Sequence, residues 1–125
     1  MRRSRIDYRM QRRAVIQAVT SGARDADGVR DAHPELVRAA KHLGRPSRDP
    51  CPLCDAELVH VHYAFERDRS RSPGGRAVAA ESLAAAADRF GELQIYVVEV
   101  CTACHWHHLV ESYVLAADSR GIHAG

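Results

Sequence analysis

The chain of 125 residues contains a single lysine, a single tryptophan, seven aromatic residues in all, and no cysteine outside two short hooks. It lacks any apolar run near the roughly 20 residues that a membrane helix needs, so no membrane role is expected. No carboxylate pair, nucleophile motif or glycine-rich phosphate loop is present, and Gly74-Gly75 alone reads as a turn. The N-terminus is rich in arginine but is followed by no apolar stretch, so a secretory leader is not expected. With no export signal, four cysteines in paired spacing are expected to be reduced thiolates in the cytoplasm. The few aromatics form no cluster, which makes base stacking by Trp106 the lesser reading beside a packing role.

What is present centres on Cys51-Pro52-Leu53-Cys54 and Cys101-Thr102-Ala103-Cys104. Each C-x-x-C turn offers two sulfurs to one ion, and two such turns complete a tetrahedral, closed zinc site at Cys51, Cys54, Cys101 and Cys104. A closed site has no position for water, so the zinc is expected to be structural. An iron–sulfur cluster and redox disulfides are the alternatives. For a chain this short the metal matters, because zinc binding to small finger-like sites supplies about 10 to 16 kcal/mol near neutral pH.

The formal charge of +2 hides an asymmetry. Six arginines against one aspartate give residues 1–13 a net +5, whereas twelve basic and fifteen acidic residues leave the remainder at −3. Four thiolates on one divalent ion add −2 to that body. The picture is a basic arm on a mildly acidic body.

Taken in order, residues 4–20 read as a helix opened by Ser4-x-x-Asp7 and stopped by Gly22. At 100° per residue Arg2, just ahead of that helix, and Arg5, Arg9, Arg12 and Arg13 fall within one arc of about 100°. A second helix is expected over 34–43, with Pro34 at its first position, Gly44 after its end, and Leu36, Ala40 and Leu43 buried. Residues 58–65 and 93–100 read as strands, each joined to a hook, and 106–115 as a third. Between the hooks lie a loop over 66–76, carrying Arg67, Arg69, Arg71 and Arg76, and a helix over about 77–90. The predicted fold is α+β: a zinc-ribbon-like three-stranded antiparallel sheet with two N-terminal helices and a helix inserted between the hooks. Residues 1–48 would form the helical segment, 49–115 the ribbon domain and 116–125 a flexible tail.

His60 and His62 share one face of the first strand, and His105, Trp106 and His108 follow the second hook. The bland account is that His105, Trp106 and His108 donate to the sulfurs or cover the rim of the site. A second metal, or an enzyme using His60 and His108, is the sharper one.

Two blocks carry a resemblance. The first runs from Asp31-Ala32-His33-Pro34-Glu35-Leu36 through Lys41, Gly44 and Pro46 to Cys51. The second is Val97-Val98-Glu99-Val100-Cys101 with Cys104, Trp106, His108-Leu109 and Ser112-Tyr113. Together they resemble a family of small actinobacterial proteins of unknown function. The resemblance spans most of residues 6–115. It implies the ribbon-like fold and metal ligation by Cys51, Cys54, Cys101 and Cys104, and it implies no activity or substrate.

The expected function is therefore a non-enzymatic zinc-binding accessory or adaptor protein. It would dock on transcription or translation machinery, on RNA or an acidic protein surface, through Arg2, Arg5, Arg9, Arg12, Arg13, Arg67, Arg69, Arg71 and Arg76. No small-molecule substrate is evident. A thiol-based redox or zinc-release sensor is the alternative.

Overall fold

The long strands of the computed structural model, which describes residues 1–67 and 75–117, form where apolar residues alternate. In β5 (Leu93–Val100), Leu93, Ile95 and Val97 are buried while Gln94, Tyr96 and Val98 are half-buried, as period-two pleating requires. β5 lies between β3 (Val59–Glu66) and β6 (His107–Leu115), antiparallel to both. These are the three strands expected from the sequence. β1 (Arg2–Asp7), β2 (Arg45–Pro46) and β4 (Arg76–Val78) enlarge the sheet to six strands, in the order β1-β6-β5-β3-β2 with β4 also on β3.

Directly opposed residues share a face, which assigns the cores. One face carries Ala64, Leu93, Ile95, Val97, Tyr113 and Leu115, packed by Leu83 and Ala87 of α3 (Leu83–Phe90). The other carries Val59, Val61 and Val100, packed by Val37 and Ala40 of α2 (Pro34–Leu43). α2 begins and ends where expected: Pro34 is in its first turn, His33 Nδ1 accepts from the Glu35 N–H at 3.1 Å, and Gly44 follows its last residue. Its most buried residues are Val37 and Ala40, with Leu36 packed at the side. Gly44 is required by close approach, since a Cβ there would stand 2.3 Å from the Ala40 carbonyl oxygen and 2.8 Å from Val59 Cγ2.

Two expected helices are shorter than predicted. The first does not run from residue 4: α1 spans Arg9–Thr20, and residues 2–7 are β1, paired with β6 through Arg2↔Leu115 and Asp7↔Glu111. The backbone groups of β6 recruit the arginine-rich stretch as a strand, and this distant pairing outweighs weak local helix preference. Ser4 does not cap a helix; it takes a left-handed φ of 56° within the irregular part of the β1–β6 ladder. Asp7 accepts the Arg9 N–H at 2.8 Å instead, and that bond holds its carboxyl below the usual range. The third helix begins at Leu83, not near 77, because residues 76–78 pair with β3 and residues 80–82 make a 3-10 turn. Alanine favours helix, but at this length even an alanine-rich helix is marginal alone, and the edge pairing prevails.

Candidate metal centre

Both hooks fold into the same hydrogen-bonded turn. In the first, the Cys51 N–H donates to the Ala56 carbonyl at 2.8 Å and the Asp55 N–H to the Cys51 carbonyl at 3.0 Å. In the second, the Cys101 N–H donates to the Trp106 carbonyl and the His105 N–H to the Cys101 carbonyl, each at 2.9 Å. The residue after each second cysteine, Asp55 or His105, is left-handed, with φ of 67° and 70°. Asp and His tolerate that region better than most non-glycine residues. Each turn aims an amide at sulfur: Leu53 N–H at Cys51 Sγ and Cys104 N–H at Cys101 Sγ, both at 3.4 Å.

The two turns meet because β3 and β5 pair side by side, with Val59 opposite Val100. Cys51 and Cys104 sulfurs lie 3.6 Å apart, those of Cys54 and Cys101 3.5 Å apart, and all four fall within 4.8 Å of one another. A disulfide needs about 2.05 Å, so these are free thiols. Four sulfurs at about 2.3 Å from one ion in a tetrahedron stand about 3.8 Å apart, so the residues present fit a single metal ion. Burial pushes the Cys51 thiol up to about 12 and raises that of Cys104, while the Ala56 amide lowers that of exposed Cys54. A divalent cation would offset the burial cost and hold all four as thiolates.

Glu99 is the residue that the sequence reading missed. It is 4% exposed, and its carboxylate accepts from Trp106 Nε1 at 2.6 Å and from Arg12 Nε at 2.7 and 2.8 Å. Trp106, fully buried, packs with Val29, Cys51, Leu58 and Cys101, and Val15, Ile16 and Val19 of α1 close over that cluster. Glu99 therefore joins α1, β5 and the second hook at one carboxylate. Its signal was visible: it continues the buried series Leu93, Ile95, Val97 with an acid, where the pattern calls for an apolar residue.

Trp106 packs against Cys51 and Cys101, and the His108 ring stacks on it with centroids 6.0 Å apart. His108 Nδ1 donates to the Leu109 carbonyl at 2.7 Å, while His105 is exposed. His60 and His62 lie on the Glu99 face of β3, His60 directly opposite Glu99, and burial pushes both below the ordinary histidine value. Among the described residues, the four cysteines are the one group of three or more such side chains close enough to hold an ion.

The arginine stripe expected along one helix does not form, because Arg2 and Arg5 are on β1. Arg2 lies 4.5 Å over the Tyr113 ring, Arg5 pairs with Glu111 at 2.7 Å, Arg9 with Asp7 at 2.8 Å, and Arg12 with Glu99. Arg13 is exposed. Arg67 stands 3.4 Å from Glu92 and Arg76 lies over the Phe90 ring; Arg69 and Arg71 fall outside the described residues.

Comparison with known proteins places the chain in a family and adds no activity. Uncharacterised proteins of Mycobacterium tuberculosis and Mycobacterium bovis are each 45% identical to the chain over 113 residues, covering 90% of it and 82% of the relative. No solved structure matches it. The family described as "Family of unknown function (DUF5318)" matches residues 1–124, and the chain belongs to that family.

Proposed function

We propose that the protein is a non-enzymatic accessory protein whose fold is clamped by one structural zinc ion on Cys51, Cys54, Cys101 and Cys104. The observation that carries this reading is the four-sulfur cluster, which fills every position of a tetrahedral ion and leaves none for a substrate or an activated water. Zinc there supplies a fixed cross-link between the two hooks. The clamped sheet acts in the cytoplasm as a rigid adaptor docking on RNA or on an acidic surface of the transcription or translation machinery. Exposed cations support the docking. Arg13 on α1 and Arg38, Lys41, Arg45 and Arg48 near α2 make no ion pair among the described residues. Among the described residues no helix is long and apolar enough to cross a membrane.

Affinity purification from the native cell, with and without nuclease, tests the docking. Partners that vanish with nuclease support RNA; partners that persist support a protein surface. A salt titration with the Arg13→Ala and Arg45→Ala variants follows, and binding indifferent to salt and to both changes would sink the electrostatic reading. The alternative, a thiol-based zinc-release sensor, is favoured by the exposure of Cys54 and its lowered thiol pKa. It requires zinc loss under mild peroxide with recovery on reduction.

A further inference from the structure

Beyond the metal centre, a groove of about 420 Å³ runs between the start of α1, the 3-10 turn at Ala26–Val29 and the first residues of β6. Both walls are pinned. The Tyr8 N–H donates to the Val110 carbonyl at 3.0 Å, and the Ala32 N–H to the His105 carbonyl at 3.1 Å, so one wall is tied to the sheet and the other to the second hook. Apolar side chains, Val15, Val29 and Leu109, line part of it. Polar groups from three separate segments converge beside them: Tyr8, Arg24, Asp31, His107 and His108.

The charges there are unequal in availability. Asp31 accepts from His107 Nε2 at 2.9 Å, and this bond holds its carboxyl below the usual range. Arg24 also helps to hold the Asp31 carboxyl down through its charge, yet its donors make no direct ion pair among the described residues. The groove therefore offers a guanidinium fork beside imidazole and phenol groups and an apolar wall. A preformed cleft with an apolar lining and a few convergent polar groups is the usual form of a small-molecule site.

We propose that this groove binds a small organic anion, its carboxylate or phosphate held by Arg24 and its apolar or aromatic body set against Val15, Val29 and Leu109. Guanidinium suits both headgroups, because its fork matches either pair of oxygens. The site is independent of the docking surface above and of any chemistry at the cysteines.

Amide NMR titrations of the zinc-loaded protein with phenyl phosphate and, separately, benzoate test it. The predicted result is saturable shifts at Gly28, Asp31 and His107 to Leu109 with at least one probe, at concentrations below about 10 mM. Phenyl phosphate alone would identify a phosphate site, benzoate alone a carboxylate site, and both a general anion site. Arg24→Ala should weaken binding about 10-fold or more while leaving the remaining spectrum unchanged. Arg89→Ala, on α3 and outside the groove, should leave the affinity intact. Absence of saturable shifts with both probes, equal affinity in Arg24→Ala, or shifts centred on α2 would overturn the proposal.

Discussion

Glu99 concentrates the energetics of the metal end in one side chain. A buried carboxylate is tolerated only when its lone pairs are met, and here a guanidinium and an indole N–H meet them. Glu99→Ala leaves both donors without an acceptor and should cost about 3 to 5 kcal/mol in urea unfolding followed by Trp106 fluorescence. Glu99→Gln keeps an oxygen for the indole and should cost less. Since the same carboxylate joins α1 to the second hook, Arg12→Ala should also speed zinc transfer to a competing chelator. A surface change remote from the cluster, Arg89→Ala, should not. His60 and His62 set a pH dependence with a definite sign. Burial lowers both below the ordinary value of 6.5, so the folded chain holds them neutral where the unfolded chain takes up protons. Their contribution to stability is full above about pH 6.5 and declines as pH falls toward the folded values. Chemical denaturation between pH 7.5 and 5.5 should show that decline, and it should be shallower in a His60→Gln, His62→Gln variant.

At the scale of elements, what could be read in the sequence was what local pattern encodes. α2 was legible because Pro34, its apolar positions and Gly44 all agree, and β5 because its alternation is uninterrupted up to Val97. Both hooks were legible as metal turns, though not the left-handed Asp55 and His105 that complete them. β1 and β4 were not legible. β1 pairs with residues more than a hundred positions away, and nothing within Arg2–Asp7 announces that partner, while β4 is a three-residue return along the preceding strand, too short to carry a pattern of its own. The arginines of the first thirteen residues look like one helical stripe in sequence, yet the strand–helix break at Tyr8 sends them to different partners. Gly44 shows the converse case, a residue read as a helix stop that also admits close packing. Gly44→Ala would press a methyl against the Ala40 carbonyl and Val59 and should lower stability by about 1 to 3 kcal/mol, read from thermal unfolding.

Across the whole molecule, α2 and α3 cover opposite faces of one antiparallel sheet, and α1 closes the end where the cysteines meet. The arrangement brings the four sulfurs together beside β3 and β5, where one ion could cross-link the two hooks. Removal of the metal should therefore loosen the cluster around Trp106 first, with the fluorescence of that tryptophan changing on chelation and returning when zinc is restored. The central claim, one zinc ion held by Cys51, Cys54, Cys101 and Cys104 with no open position, is tested most directly by zinc-edge X-ray absorption on the purified protein. Four sulfur neighbours at about 2.3 Å and no lighter scatterer are predicted. Three or fewer sulfurs with nitrogen or oxygen in the first shell, or a chain that carries no zinc and has its cysteines paired as disulfides, would contradict it.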